Sequence, residues 1–253
     1  MSRFYVETPQ WRGERVEITG AEARHIQKVL RLKEGDEIAL FDGKAVEYWG
    51  TIETQRHQRI TVKILRTNNP RRESPIEIML GQGLLKGDKM DYVFQKSTEM
   101  GVSAIFPFIS SRTIPTAGGE RAERRLNRWK RIVVESAKQC GRVISPRVEG
   151  IRHFTSMLDV PFHGVVKLIL WEKEERPLKE RMREIDKNSG KFLFLVGPEG
   201  GFCEGEISAA QAKGFIPAGL GPRILRSETV AVAMLSILQY DFGDLGGHPS
   251  SPL

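Results

Sequence analysis

The sequence predicts an α/β protein with a mostly parallel sheet, preceded by a small closed β-barrel. Residues 1–70 hold short strand-like runs divided by turn signals, a spacing that suits a barrel. From residue 75 onward strand-like and helix-like runs alternate, the pattern of a parallel sheet covered on both faces. Late in the chain, two glycine-bearing loops each follow a strand-like run and lead into a helix, which suggests one site built from adjacent strand ends.

In the first part, 37–41, 45–52 and 59–65 read as strands, with Asp42-Gly43 as a turn. A short helix is expected over 21–31, with Ile26, Val29 and Leu30 facing inward. The polar run 67–75 marks the boundary between domains 1–70 and 75–253. Beyond it, strand 76–80 precedes a helix over 88–100, with Met90, Val93, Phe94 and Ser97 on one face and Gly101 as its stop. Strand 103–109, a basic helix, strand 165–171 and a charged helix over 176–186 follow. Strand 192–196, helix 204–213, a short strand at 215–218 and a last apolar helix complete five βα units.

The apolar run Phe192-Leu193-Phe194-Leu195-Val196 ends abruptly in Gly197-Pro198-Glu199-Gly200-Gly201. A continuous apolar run reads as a strand buried on both faces, and glycines at its carboxyl end let backbone approach a ligand. The loop lacks the GK[ST] ending of a nucleoside-triphosphate loop, so phosphate cradling is not its natural role. The second loop, from Gly219, carries Arg223, Arg226 and Glu228 at the mouth of the last helix, where backbone N–H groups and the dipole favour anions. Gly81-Gln82-Gly83-Leu84-Leu85-Lys86-Gly87 imitates a dinucleotide fingerprint, but its third glycine is one position late.

Composition sets the class. The 253 residues are 40% hydrophobic and 28% charged, as in ordinary soluble proteins. No apolar run approaches a membrane span and the first residues lack a signal-peptide pattern, so no membrane partner is expected. Cys140 and Cys203 stand far apart with no CxxC or Cys/His cluster. That points away from a bound metal or a disulfide framework and toward a cytoplasmic protein. Cys203 reads as a small helix-entry residue rather than a catalytic thiol.

Charge is uneven. Residues 112–147 hold ten Lys/Arg against three Glu, a net +7 that equals the excess of the whole chain. Leu126, Trp129, Ile132, Val133, Ala137 and Cys140 recur at helical spacing, and Arg121, Arg124, Arg128, Arg131, Lys138 and Arg142 fall opposite. Nearly unopposed arginine suggests a phosphate-binding face, with a solvated helix face as the alternative. His25, near the short helix, reads as structural or as a nucleic-acid contact.

Together these segments resemble the RsmE family of 16S ribosomal RNA (uracil-N3)-methyltransferases, within the SPOUT superfamily. The resemblance runs nearly end to end, through Arg3-Phe4-Tyr5-Val6, His25 with Val29-Leu30-Arg31, Lys86 to Asp91, Gln95 to Val102, Arg128-Trp129 and Ala137 to Arg142. Its most specific parts are Gly197-Pro198-Glu199-Gly200-Gly201 and Leu220-Gly221-Pro222-Arg223-Ile224-Leu225-Arg226-Ser227-Glu228-Thr229. Val230 stands where the family usually has alanine, and Cys203 where a Ser or Thr cap is common, a change that weakens a cap by about 1 kcal/mol.

The resemblance implies a carboxyl-terminal trefoil knot, a PUA-like amino-terminal RNA-binding barrel and a homodimer. It implies S-adenosylmethionine as cofactor, held by three loops: Leu170, Trp171 and Glu172; Val196, Gly197, Pro198, Glu199, Gly200 and Gly201; and Leu220, Gly221, Ile224 and Leu225. It implies a uridine in the decoding region of 16S rRNA, in the small ribosomal subunit, as target. Candidate rRNA contacts are Arg3, His25, Arg31, Lys86, Arg112, Arg124, Arg128, Arg131 and Arg142. Uracil N3 carries a proton and attacks weakly until it leaves, so the chemistry wants a cation near O2 or O4 and a base. Arg226 is the candidate cation; Glu199 or Glu228 is the candidate base, and Glu199 alternatively orients the cofactor loop. A non-catalytic RNA-binding protein, or a related enzyme acting on a ribose hydroxyl, are the competing readings.

Overall fold

The computed structural model describes residues 2–6, 9–113 and 119–247. It divides into two units: residues 1–73 with 137–145, and residues 74–136 with 146–253. The expectation placed residues 137–145 with the second part. In the structure Ala137 and Val143 pack with Phe41 in a small apolar cluster of the first unit.

The first unit contains β1 (Ser2–Tyr5), β2 (Gln10–Arg12), β3 (Arg15–Thr19), α1 (Gly20–Arg24), a π turn (His25–Val29), β4 (Glu37–Phe41), β5 (Glu47–Arg56) and β6 (Arg59–Asn68). Its sheet runs β1-β4-β5-β6-β3-β2, with β1 parallel to β4 and the other pairs antiparallel. Phe4, Val16, Ile18, Ile38, Leu40, Ile52, Ile60 and Val62 send alternate side chains into one core, which Ala23 and Ile26 also enter. Among the described residues the end strands do not pair with each other, so this shared core, not a closed ladder, holds the sheet together.

One expectation fails here. Ile26 is fully buried, but Val29 is 67% and Leu30 41% exposed. The helix gives way at His25 to a π turn, which advances each residue by less than 100° and swings Val29 and Leu30 off the inward face.

The second unit is built on an all-parallel sheet in the order β10-β8-β7-β12-β11-β13, with β9 also on β8. Its strands are β7 (Glu77–Gly83), β8 (Ala104–Ile109), β9 (Arg147–Val148), β10 (Arg152–His153), β11 (Val166–Leu170), β12 (Lys191–Val196) and β13 (Ile216–Ala218). Its helices are α2 (Lys89–Glu99), α4 (Phe154–Leu158), α5 (Leu178–Glu184), α6 (Glu204–Ala212) and α7 (Ser227–Asp241). Helix α3 (Glu120–Cys140) runs in this unit up to residue 136.

β12 shows why the order is stable. Phe192, Phe194 and Val196 enter one core with residues of α2, α3 and α7, while Leu193 and Leu195 enter another with residues of α4 and α6. Each buried side chain of this size contributes about 1.5–3 kcal/mol. The two faces explain why the run is continuously apolar instead of alternating. On the first face Phe94 of α2 stacks on Trp129 of α3, with ring centres 4.9 Å apart. Pairing of Leu170 with Ala218 and of Ile169 with Leu195 brings the carboxyl ends of β11, β12 and β13 side by side.

Candidate active site

The loops leaving those three strand ends enclose a cavity of about 600 Å³. It is lined by Leu170, Trp171 and Glu172 after β11, by Val196, Gly197, Pro198, Glu199, Gly200 and Gly201 after β12, and by Leu220, Gly221, Ile224 and Leu225 after β13. These are all thirteen positions expected to hold a cofactor. Arg226 and Glu228 line it too, as do Lys89, Ala218, Arg223, Ser227 and Val230.

Close backbone approach shapes the cavity. Gly201 adopts φ +67°, and a Cβ there would lie 3.0 Å from a Glu172 carboxylate oxygen. Gly83, at the end of β7, faces the same loop: a Cβ would sit 2.6 Å from the Pro198 nitrogen. The imitation fingerprint thus has a packing role, because its second glycine lets β7 lie against Gly197-Pro198. The loop is tied to α7 as well. Ser227 Oγ donates to the Gly197 carbonyl at 2.6 Å and accepts from Gln82 Nε2 at 2.9 Å, all buried. Arg112 Nη1 donates to the Gly200 carbonyl at 2.9 Å. At the entry to α6, Glu206 accepts from the N–H of Cys203 at 3.0 Å and of Ser111 at 2.8 Å, so a carboxylate satisfies the helix start.

The charged groups differ in how far they are satisfied. Glu199 accepts from the Lys86 N–H at 3.1 Å and from Lys89 Nζ at 3.2 Å. Burial pushes its carboxyl up, but hydrogen bonds from the Lys86 and Glu199 N–H groups and the Lys89 ammonium outweigh it and hold the group below the usual carboxylate range. Lys89 Nζ also lies 4.0 Å from Glu228 Oε1. By contrast, Glu228 Oε2 and Trp171 Nε1 are buried with no partner among the described residues. Arg226 is the N-cap of α7; its carbonyl accepts from Thr229 and Val230, and its exposed guanidinium makes no bond among the described residues. Arg226 thus lines the cavity as a cation without a protein partner among the described residues. Lys89 escaped the sequence reading because nothing in its spacing sets it apart from its neighbours in Lys86 to Asp91.

The expected RNA contacts do not form one set. Arg3 Nε donates to Glu47 at 2.9 Å, and its Nη atoms reach the carbonyls of Lys138 and Arg142 at 3.1 and 3.2 Å. Arg142 is buried and pairs with Glu73 at 2.8 Å. Lys138, expected on the exposed basic face, is likewise buried against Glu22 at 3.0 Å. These three hold the first unit together, because carboxylates distant in sequence meet them there. The ring of His25 packs edge-on against Phe4. Arg112 braces the Gly200 loop. Arg128 pairs with Asp91 and Arg124 with Glu120, while the side chains of Arg31, Lys86 and Arg131 are exposed with no carboxylate partner among the described residues. No group of metal-ligating side chains occurs among the described residues.

Comparison with known proteins gives the same picture. Residues 72–239 match the model of an RNA methyltransferase domain, and residues 18–65 that of an RNA methyltransferase PUA domain. Ribosomal RNA small subunit methyltransferase E of Bacillus subtilis is 30% identical over 95% of this chain and 96% of its own. The crystal structure of the protein of that name from Neisseria gonorrhoeae, bound to S-adenosylmethionine, is 37% identical, covers 97% of this chain and 99% of its own, and superposes with a TM-score of 0.88. A protein from Legionella pneumophila, solved with S-adenosylmethionine bound, is 32% identical over 96% of this chain and 98% of its own, with a TM-score of 0.87. The chain belongs to the ribosomal RNA small subunit methyltransferase E family of RNA methyltransferases.

Proposed function

We propose that this protein transfers the methyl group of S-adenosylmethionine to N3 of a uridine in the decoding region of 16S rRNA, in the small ribosomal subunit. The observation that carries this is the cavity in which all three loops meet at the carboxyl ends of β11, β12 and β13. Its residues fit the cofactor. Leu170, Val196, Leu220, Ile224 and Leu225 supply an apolar wall for a purine ring, and the glycines of the 197–201 loop let backbone approach it closely. When bound, S-adenosylmethionine supplies an electrophilic methyl group on a sulfonium.

The protein's own groups do the rest. Glu199, held ionised by Lys86 and Lys89, fixes the Gly197–Gly201 turn against α2 and is a poor proton acceptor. Glu228, which lines the cavity with the Lys89 ammonium no nearer than 4.0 Å, is the better base for the N3 proton. Arg226, free of any carboxylate, stabilises charge on O2 or O4 as that proton leaves. Alignment within a preformed site supplies much of the remaining acceleration. Exposed Arg124, Arg128 and Arg131 on α3 guide the RNA backbone. The same reading divides the chain into a barrel over 1–70 and a methyltransferase domain over 75–253, threads the latter as a trefoil knot, pairs two chains as a homodimer and places the protein in the cytoplasm.

The test is to incubate the protein with unmodified small subunits and methyl-labelled S-adenosylmethionine, then digest the RNA and identify the labelled nucleoside by mass spectrometry. Labelled 3-methyluridine in 16S rRNA is expected. A ribose-methylated nucleoside would point to the related 2′-hydroxyl chemistry, and cofactor binding without transfer would defeat the enzymatic reading.

A further inference from the structure

Helix α7 begins without a capping side chain. Its N-cap is Arg226, which makes no side-chain cap bond, although Ser, Thr, Asp or Asn is the residue that usually stands there. The serine comes one position later. Ser227 is buried and uses its hydroxyl outside the helix: Oγ donates to the Gly197 carbonyl at 2.6 Å and accepts from Gln82 Nε2 at 2.9 Å.

Gln82 is unusual in its own right. It is fully buried near the end of β7, opposite Val196 of β12, and it also donates to the Gly83 carbonyl at 3.0 Å. Its Oε1 is buried with no partner among the described residues. A buried amide with an unmet acceptor costs stability that an apolar side chain of the same length would not. What the amide supplies in return is a fixed donor that joins the ends of two adjacent strands to the first turn of α7. Ser227 stands between Arg226 and Glu228, so the pinned point carries the candidate cation on one side and the candidate base on the other. Both line the cavity; the Arg226 guanidinium makes no bond among the described residues, and Lys89 Nζ stays 4.0 Å from Glu228. Their placement therefore rests on the backbone of that first turn.

We propose that Ser227 and Gln82 are positioning residues for methyl transfer, resting on the reading above in which Arg226 and Glu228 act on the uracil. The buried pair fixes the first turn of α7 against the cofactor loop and thereby sets where the cation and the base stand. An error of about 1 Å in such a placement costs on the order of 10²-fold in rate.

The test compares single-turnover methylation of unmodified small subunits, at saturating subunit and S-adenosylmethionine, by wild type, Ser227→Ala, Arg226→Ala and the double variant, with cofactor affinity read by calorimetry. Ser227→Ala should slow the saturated rate on the order of 10²-fold. Its cofactor affinity should fall no more than about threefold, because Gln82 Nε2, already 3.5 Å from the Gly197 carbonyl, can replace the hydroxyl there. The double variant should fall well short of the product of the two single deficits, since Ser227 acts partly through Arg226. Gln82→Met keeps the length of its side chain and removes the donor at a site outside α7. It should slow the saturated rate on the order of tenfold, and it reads the same pair should Ser227→Ala fail to fold. A wild-type saturated rate in either folded variant, with any loss confined to cofactor affinity, overturns this proposal alone, as do deficits of Ser227→Ala and Arg226→Ala that multiply in full. A wild type that transfers no methyl group to the subunit overturns the methyl-transfer reading and this proposal together.

Discussion

Arginine serves opposite purposes in two regions of this protein. At the carboxyl ends of the parallel strands, Arg226 lines the cavity with an exposed guanidinium free of any carboxylate among the described residues. In the first unit, Arg3 and Arg142 are clamped by Glu47 and Glu73, which lie 44 and 69 residues away in sequence. By composition these arginines look alike, and all were candidates for RNA or substrate. Their environments separate them: an arginine with its carboxylate already in place has little left to offer a ligand, while an unpaired one keeps its whole fork of donors.

The largest effect should come from the free member. Arg226→Ala is expected to lower the single-turnover rate of methylation at saturating subunit on the order of 10²–10³-fold, as when one oxyanion donor is lost. Lysine there should rescue only partly, since it offers a point charge in place of a planar fork. A wild-type saturated rate with weakened RNA affinity would recast Arg226 as a phosphate anchor. The clamped member should behave in reverse. Arg3→Ala leaves the Glu47 carboxylate, at 1% exposure, with Trp49 Nε1 at 3.0 Å and Arg72 at 4.0 Å, and should cost about 3 kcal/mol in urea unfolding, while the salt dependence of RNA binding by the folded variant stays as it was. A stable variant with a shallower salt slope would place Arg3 at the RNA instead.

Between these extremes lies α3. Changing Arg124, Arg128 and Arg131 to Glu should flatten the salt slope by up to about 1 per residue, with Arg128 contributing least because Asp91 already holds it. An unaltered slope would make this a solvated face. The smallest effect concerns Glu199, whose folded-state carboxyl is held below its ordinary value. The stability it contributes is fully present above its unfolded value of about 4.3 and is lost as pH falls through the lower folded value. The difference in Tm between wild type and Glu199→Gln should therefore be present at neutral pH and shrink as pH falls below the unfolded value. A difference that survives acid would mean that the Lys86 and Lys89 contacts do not depend on the carboxylate charge.

Much of the cavity was legible because it is made of backbone. A strand buried on both faces must be apolar throughout, and a loop that lies 3 Å from its neighbours must be glycine-rich, so Phe192 to Gly201 carries its role in its spelling. Gly83 obeys the same rule, but its partner Pro198 is over a hundred residues away, and it passed for a failed nucleotide motif. Val29 and Leu30 fit a helical period that the chain abandons at His25, a choice made by the backbone and invisible to periodicity. The two-residue strands β9 and β10 and the short helix α4 fall below the length at which pattern is informative. Ala137 to Ser145 continues a basic helix in sequence, yet its contacts with Phe41 and Glu73 belong to the first unit.

Titration of S-adenosylmethionine into the purified protein by calorimetry tests most directly whether the strand-end cavity is a cofactor site. One molecule should bind per chain. Gly83→Ala, which drives a methyl group into the Pro198 backbone, should bind at least about tenfold more weakly while keeping the wild-type circular dichroism spectrum. A folded wild type that takes up no cofactor, or a folded Gly83→Ala with wild-type affinity, would contradict the assignment.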